Sequence, residues 1–357
     1  MSEIKKMKLF IVFACVFIVI VALLILFLNN KNKMQSKLVS LGYSERESLI
    51  LLKKVPISNY DLVLEGYDSS IIDIVNSKDY KSKNFSLYYT YYSHNKDSKI
   101  NNIISIINSG YDLMDYPASG LLALLVKEKY FIYENVARYL DYGNGNKLSA
   151  KKIVSIVNAN ADFEYYTNSK AANISDDYLI LVNKYNYLPN KYEPDDLITL
   201  PSKYGSGNND KMRKESAEAF MKMVDGALLD NIVLRNASAY RSYDYQVKLY
   251  DDYVKKDGIE MADVYSARAG YSEHQTGLCT DINIIDSSFD NSPESKWLAK
   301  NAYKYGFILR FPKNKEKVTG YKYESWHYRY VGVKVAKIMY DNDLSLEEYY
   351  AYYVENK

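Results

Sequence analysis

The stretch SEHQTGLCTDINI, residues 272 to 284, holds a turn glycine, Gly277, and then an apolar-alternating run that reads as a strand. Asp281 lies inside that strand, and His274 stands on the other side of the turn. A strand that carries an acid toward a neighbouring histidine sets the reading for everything around it. Upstream, IVLRNASAY (232 to 240) is strand-like and leads into a helix from Tyr243 to about Val254. Before it, Ala217, Met221, Val224 and Leu228 recur with helical spacing. Downstream, Ser292 and Pro293 open a helix that Gly306 closes, GFILRF and WHYRYV read as strands, and Ser345 with Glu348 forms a capping box. Tyr178 to Val182 reads as one more short strand. Residues 176–357 are therefore expected to form one α+β domain with a mostly antiparallel sheet.

The rest of the chain has a different texture. Of 357 residues, 48% are hydrophobic and 25% charged, ordinary for packed globular structure. The balance of 46 basic against 44 acidic residues, spread without a basic stripe, argues against nucleic-acid binding. Residues 9–28, LFIVFACVFIVIVALLILFL, carry no charge and are long enough to span a bilayer as a helix. The stretch is too long for a signal peptide and is followed by no small-residue cleavage site, so it reads as a retained anchor behind a cytoplasmic tail at 1–8. Lys5, Lys6 and Lys8 face Lys31, Lys33 and Lys37 across the span, and the first-helix rule favours the amino terminus inside with the bulk of the chain outside. Of two cysteines, Cys15 lies in the span, so Cys279 has no disulfide partner within the ectodomain.

Between anchor and domain, residues 29–175 repeat themselves. IISIINSGYDLMDY (103 to 116) matches IVSIVNANADFEYY (153 to 166), and IIDIVNSKDY (71 to 80) matches LLALLVKEKY (121 to 130) at the same offset. Asn84 to Tyr91 and Asn135 to Tyr142 follow with one residue of slippage. Two to three helical repeats are expected, serving as spacer, packing partner or wall-binding module. The 39 tyrosines reflect composition shared with frequent Lys, Asn and Ile more than a set of sugar platforms.

Only three histidines occur. His94, without a carboxylate at ligand spacing, reads as a surface or packed residue. The other two sit beside acids. A catalytic zinc needs three protein ligands and one open position, which His274, Asp281 and His327 can supply from two elements. Glu324, just before His327, is then free to act as a base toward water. Arg241, in the turn of SAYRSYDYQ (238 to 246), can hold a carboxylate or an oxyanion. Residue types alone leave two readings open, a metallohydrolase or two satisfied core histidines with surface acids.

The ordered set SAYRSYDYQVKLY, SARAGYSEHQTGLCTDINI, YGFILRFP and TGYKYESWHYRYVG resembles the VanY-like family of zinc D-alanyl-D-alanine carboxypeptidases and the related L,D-carboxypeptidases of bacterial cell walls. The resemblance covers roughly residues 178 to 340. It implies a small α+β zinc peptidase holding one Zn²⁺ per chain through His274, Asp281 and His327. Glu324 would be the general base, and Arg241, Gln246 and Ser272 would lie on the substrate side, Arg241 orienting the terminal carboxylate. Ala239, Cys279, Phe311 and Ser325 depart from the usual pattern. Cys279 has Ala as its usual counterpart and reads as a small buried side chain rather than a soft ligand. Phe311 lacks a phenol. The function so implied is a membrane-anchored carboxypeptidase that removes the C-terminal D-alanine from peptidoglycan stem peptides. The alternatives are L,D action on tetrapeptide stems, or a degenerate wall-binding protein.

Overall fold

The computed structural model describes residues 3–207 and 209–355. Residues 1 and 2 of the expected cytoplasmic tail lie outside the described residues. The contacts divide the chain into two compact units, one ending at Tyr133 and one beginning at Glu134.

In the first unit, α1 (Glu3–Ser40) is a single helix whose segment from Val12 is apolar enough to cross a membrane, with none of that window buried against protein. Helix α1 exposes Phe10, Phe17, Leu24 and Phe27 all round, a pattern suited to lipid rather than to a protein core. Six shorter helices follow: α2 (Glu45–Lys54), α3 (Tyr60–Leu64), α4 (Ser69–Asn76), α5 (Phe85–His94), α6 (Ile100–Asn108) and α7 (Gly120–Leu125). The unit's core clusters Leu38, Leu51, Val63, Ile71, Val75 and Phe85. His94 is exposed at the end of α5, its Nδ1 2.8 Å from the Thr90 carbonyl.

The sequence repeat has a structural counterpart. Asn84 Nδ2 and the Tyr88 hydroxyl both donate to Asn108 Oδ1, at 3.2 and 2.6 Å. In the second unit, Asn135 Nδ2 and the Tyr139 hydroxyl donate in the same way to Asn158 Oδ1. These residues lie on or beside α8 (Val136–Gly145) and α9 (Ala150–Asn158). The Asn and Tyr clusters are thus clasps that close the repeating helices.

The second unit also carries the sheets. Short pairs flank the main one: β1 (Lys170–Ala171) with β2 (Asn186–Tyr187), and β3 (Leu197–Thr199) with β4 (Lys211–Arg213). The main sheet has four antiparallel strands, β5 (Asn236–Ser238), β6 (Cys279–Ile282), β7 (Phe307–Leu309) and β8 (His327–Tyr330), in the order β5-β6-β8-β7. With the helices α10 (Lys214–Leu229), α11 (Tyr243–Asp257), α12 (Ile259–Tyr265), α13 (Pro293–Asn301), α14 (Glu316–Thr319), α15 (Val333–Asn342) and α16 (Leu346–Tyr350), this is an α+β arrangement with a mostly antiparallel sheet.

Strand alternation sorts the sheet into two faces. Ile282, Phe307, Tyr328 and Tyr330 join Phe220, Met223 and Trp297 in the hydrophobic core. The alternate residues Cys279, Asp281, Arg310, His327 and Arg329 are buried on the opposite side. Register places Asp281 opposite His327 and Cys279 opposite Arg329.

Two local expectations shift. On α10 the buried face is Ala217, Phe220, Met223, Val224 and Ala227, while Leu228 is 59% exposed, so the apolar stripe sits one position away from the one expected. Residues 178 to 182 form no ladder; a 3₁₀ turn covers Ile174–Leu179 instead. The carbonyls of Tyr178 and Ile180 accept from Arg329 Nη2 at 3.1 and 2.9 Å, so a guanidinium takes the place of a partner strand.

Candidate metal and active site

Three segments bring the candidate residues together. After β5 the chain turns through Arg241, Ser242 caps α11 by accepting from Tyr245 N, and Gln246 enters from the first turn of that helix. A 3₁₀ turn over Glu273–Thr276 presents His274, and Gly277 ends it with φ 66° in the left-handed region. A Cβ at Gly277 would lie 2.8 Å from Leu197 Cδ2, so both conformation and space call for glycine there. Strands β6 and β8 then set Asp281 beside His327, and Glu324 precedes β8.

One cavity of about 370 Å³ is lined by all seven candidate residues, Arg241, Gln246, Ser272, His274, Asp281, Glu324 and His327. His274 Nδ1 is 2.6 Å from the Ala239 carbonyl, an obligate acceptor, so Nδ1 carries the proton and donates. Its Nε2 is buried without a hydrogen-bond partner, 3.5 Å from Asp281 Oδ2. Burial, reinforced by the Arg241 charge, depresses the His274 pKa to about 3, which keeps this ring neutral. His327 Nε2 lies 2.8 Å from Glu273 Oε1 and donates to it, which turns Nδ1 toward Asp281 Oδ1 at 3.2 Å and Glu324 Oε2 at 3.6 Å.

Two imidazole nitrogens and a carboxylate therefore converge on one point. Asp281 Oδ1 has no well-formed hydrogen bond although His327 Nδ1 is close, and although burial opposes it, Cys279, Asp281 and Glu273 raise the His327 pKa well above its ordinary value, holding a proton that a bound cation would displace. Tetrahedral zinc with bonds of about 2.1 Å sets neighbouring donors about 3.4 Å apart, close to the separations of 3.5 and 3.2 Å found here. The donor set fits a zinc ion.

Cys279 complicates the set, because its Sγ and the ring nitrogens of both histidines lie within 4.8 Å of one another. Asp281 offers a carboxylate at the same point. Its oxygens lie 3.5 Å from His274 Nε2 and 3.2 Å from His327 Nδ1, and although burial opposes ionisation, its surroundings hold its pKa down at about 2. Burial instead raises the Cys279 thiol.

Glu324 is 7% exposed, and burial pushes its pKa up to about 7. Arg241 Nε and Gln246 Oε1 are buried without hydrogen-bond partners, while Gln246 Nε2 is fixed on the Ala267 carbonyl at 2.8 Å. The ring of Phe311 lies 4.9 Å from that of His327 and walls the cavity.

Sequence reasoning did not find the charges behind His327. Glu273 Oε2 accepts from Arg310 Nε at 2.8 Å and from Arg329 Nη1 at 3.1 Å. Arg310 donates in turn to both oxygens of Glu347 on α16, at 3.0 and 2.6 Å. Burial alone would raise the Glu273 pKa, but Arg310 and Arg329 outweigh it and hold the carboxyl well below the usual range. The available signal was a lone arginine at an alternate position in each of two strands, which by itself reads as a solvent-facing residue.

A family model described as VanY, D-alanyl-D-alanine carboxypeptidase, matches residues 209–333. YodJ of Bacillus subtilis (strain 168), a carboxypeptidase by name, is 45% identical over 181 residues, covering 48% of this chain and 66% of the relative. VanXYC of Enterococcus gallinarum, a bifunctional D-Ala-D-Ala dipeptidase and D-Ala-D-Ala carboxypeptidase, is 31% identical over 182 residues, covering 49% of this chain and 94% of its own. Among solved structures, the LdcB LD-carboxypeptidase aligns with a TM-score of 0.49 at 42% identity, covering 52% of this chain and 91% of that one. The chain spans between 47% and 66% of the length of the first three curated relatives.

Proposed function

The chain belongs to the VanY-like family of D-alanyl-D-alanine carboxypeptidases, and on that premise we propose that it is a membrane-anchored, zinc-dependent carboxypeptidase that removes the terminal D-alanine from peptidoglycan stem peptides. The observation that carries this reading is the convergence of His274 Nε2, His327 Nδ1 and the Asp281 carboxylate on one cavity wall beside Glu324.

His274, Asp281 and His327 would hold the ion, one per chain. Zinc, when bound, supplies Lewis acidity toward a carbonyl oxygen and toward water. The chain's own residues do the rest. Arg241 pairs with the substrate's terminal carboxylate through its free Nε edge. Gln246, held by its amide nitrogen, offers Oε1 to a backbone N–H of the stem, and Ser272 contacts the neighbouring backbone. Glu324 takes a proton from the attacking water and passes it to the departing amine nitrogen, so the peptide C–N bond breaks as the new C–O bond is completed. Helix α1 would cross the bacterial cell membrane once, amino terminus inside, leaving the catalytic unit on the side where stem peptides are found.

Mass analysis of muropeptides incubated with the zinc-loaded, detergent-solubilised chain tests this reading. Loss of one alanine from pentapeptide stems and none from tetrapeptide stems is the expected outcome. Loss from tetrapeptides alone assigns L,D action instead, and loss from neither refutes a peptidase.

A further inference from the structure

We propose that Glu273 is a positioning residue for the metal centre, and that Arg310 and Glu347 extend its hold on His327 to the C-terminal helix. The inference rests on the zinc carboxypeptidase reading above.

An imidazole offers a lone pair on one nitrogen only when its proton is kept on the other. For His327 the metal-facing nitrogen is Nδ1, so Nε2 must keep the proton, and Glu273 Oε1 at 2.8 Å is the group that holds it there. A carboxylate can serve only if it stays an acceptor and stays still. Both conditions come from its other oxygen, which takes Arg310 Nε at 2.8 Å and Arg329 Nη1 at 3.1 Å. The arginines are themselves anchored, Arg310 by the two oxygens of Glu347 and Arg329 by the Tyr178 and Ile180 carbonyls. Both arginines have no exposed surface, and Glu273 and Glu347 are 4% and 1% exposed. Two positive and two negative groups sit together out of water, an arrangement that costs desolvation and is weak evidence for stability. Orientation of a ligand is what it provides. Glu347 stands on α16, beyond residues 209–333 matched by the family model, so the part of the chain that shapes the centre extends past that match.

The chemistry of Glu273→Gln makes the inference testable. A glutamine presents one acceptor and one donor end. Two arginine donors compel its oxygen to face them, so its NH₂ must face His327 Nε2. That nitrogen then has to accept, and the ring proton moves to Nδ1, where the metal should bind. Zinc affinity measured by chelator competition on the full chain should fall by about 10- to 100-fold in E273Q, with a smaller loss of the same kind in E347Q. Both losses should appear without change in near-ultraviolet circular dichroism. In the cadmium-113-loaded wild type, nitrogen NMR should show coupling to His327 Nδ1 and a proton retained on Nε2. Coupling to Nε2 overturns the proposal without recourse to any variant. Equal zinc affinity in E273Q and wild type overturns it while leaving the carboxypeptidase reading intact. Failure of the wild type to bind zinc overturns both.

Discussion

At the scale of single residues, the roles proposed for Glu324 as base and His327 as metal ligand can be told apart by separate measurements. Glu324→Gln keeps all three metal donors and loses the base, so bound zinc should remain stoichiometric while turnover falls about 10²- to 10⁴-fold. His327→Ala should lose metal as well, and elemental analysis beside kinetics checks the pair. Burial raises the Glu324 pKa from 4.5 to about 7 in the metal-free chain. The folded state therefore holds that proton more tightly than the unfolded state, and the associated stability is present below pH 4.5 and lost as pH rises through about 7. Relative to E324Q, metal-free wild type should lose at most about 3 kcal/mol over that window, read by urea unfolding at successive pH values. Cys279→Ala should keep one zinc per chain, and the cobalt-substituted wild type should show no sulfur-to-cobalt charge-transfer band. Such a band would make the thiol a ligand. Residue types and spacing alone left two readings open, whereas the sharing of one cavity by the candidate residues was legible beforehand from the ordered motifs taken together. The network of Glu273, Arg310, Arg329 and Glu347 was not. Charged residues are seldom buried, and nothing local marks the few that are.

At the scale of elements, the legible parts are those whose signals are local. The Ser292 and Pro293 helix start, the Ser345 and Glu348 capping box and the αL glycine at 277 all lie where sequence reasoning puts them. The strand expected at 178 to 182 failed because its hydrogen-bonding partner is a side chain, Arg329, contributed from about 150 residues away. The stripe on α10 moved because Phe220 and Met223 are buried in the core, whereas Met221 packs at its edge and Leu228 is exposed, and periodicity fixes the width of an apolar face better than its centre. Gly277→Ala gives this scale its test. It forces a Cβ into the left-handed region and toward Leu197, so unfolding free energy should drop by about 1 to 3 kcal/mol, with the 3₁₀ turn carrying His274 displaced. Thermal unfolding and zinc titration of the variant report the two effects separately.

At the scale of the whole molecule, the sequence-based boundary at 175/176 and the contact-based one at 133/134 fall in different places. Helix α9, inside the repeat by sequence, is tied into the second unit by the Ser155 hydroxyl donating to Glu348 Oε1 at 2.6 Å. A repeat pattern records how helices resemble one another, and contacts record what each one packs on. On the proposed membrane-anchored reading, the lysines on either side of the apolar segment of α1 set its orientation, so moving Lys5, Lys6 and Lys8 to the outer flank should invert the chain. Protease protection in intact protoplasts would then replace the expected digestion.

The two-faced alternation of β8 has a consequence for how the protein fails. A slip of one residue would turn Tyr328 and Tyr330 into the charged lattice and drive His327 and Arg329 into the hydrocarbon core. No intermediate register preserves either side. Misregistered copies should thus lose core and site together, with no partly active form between.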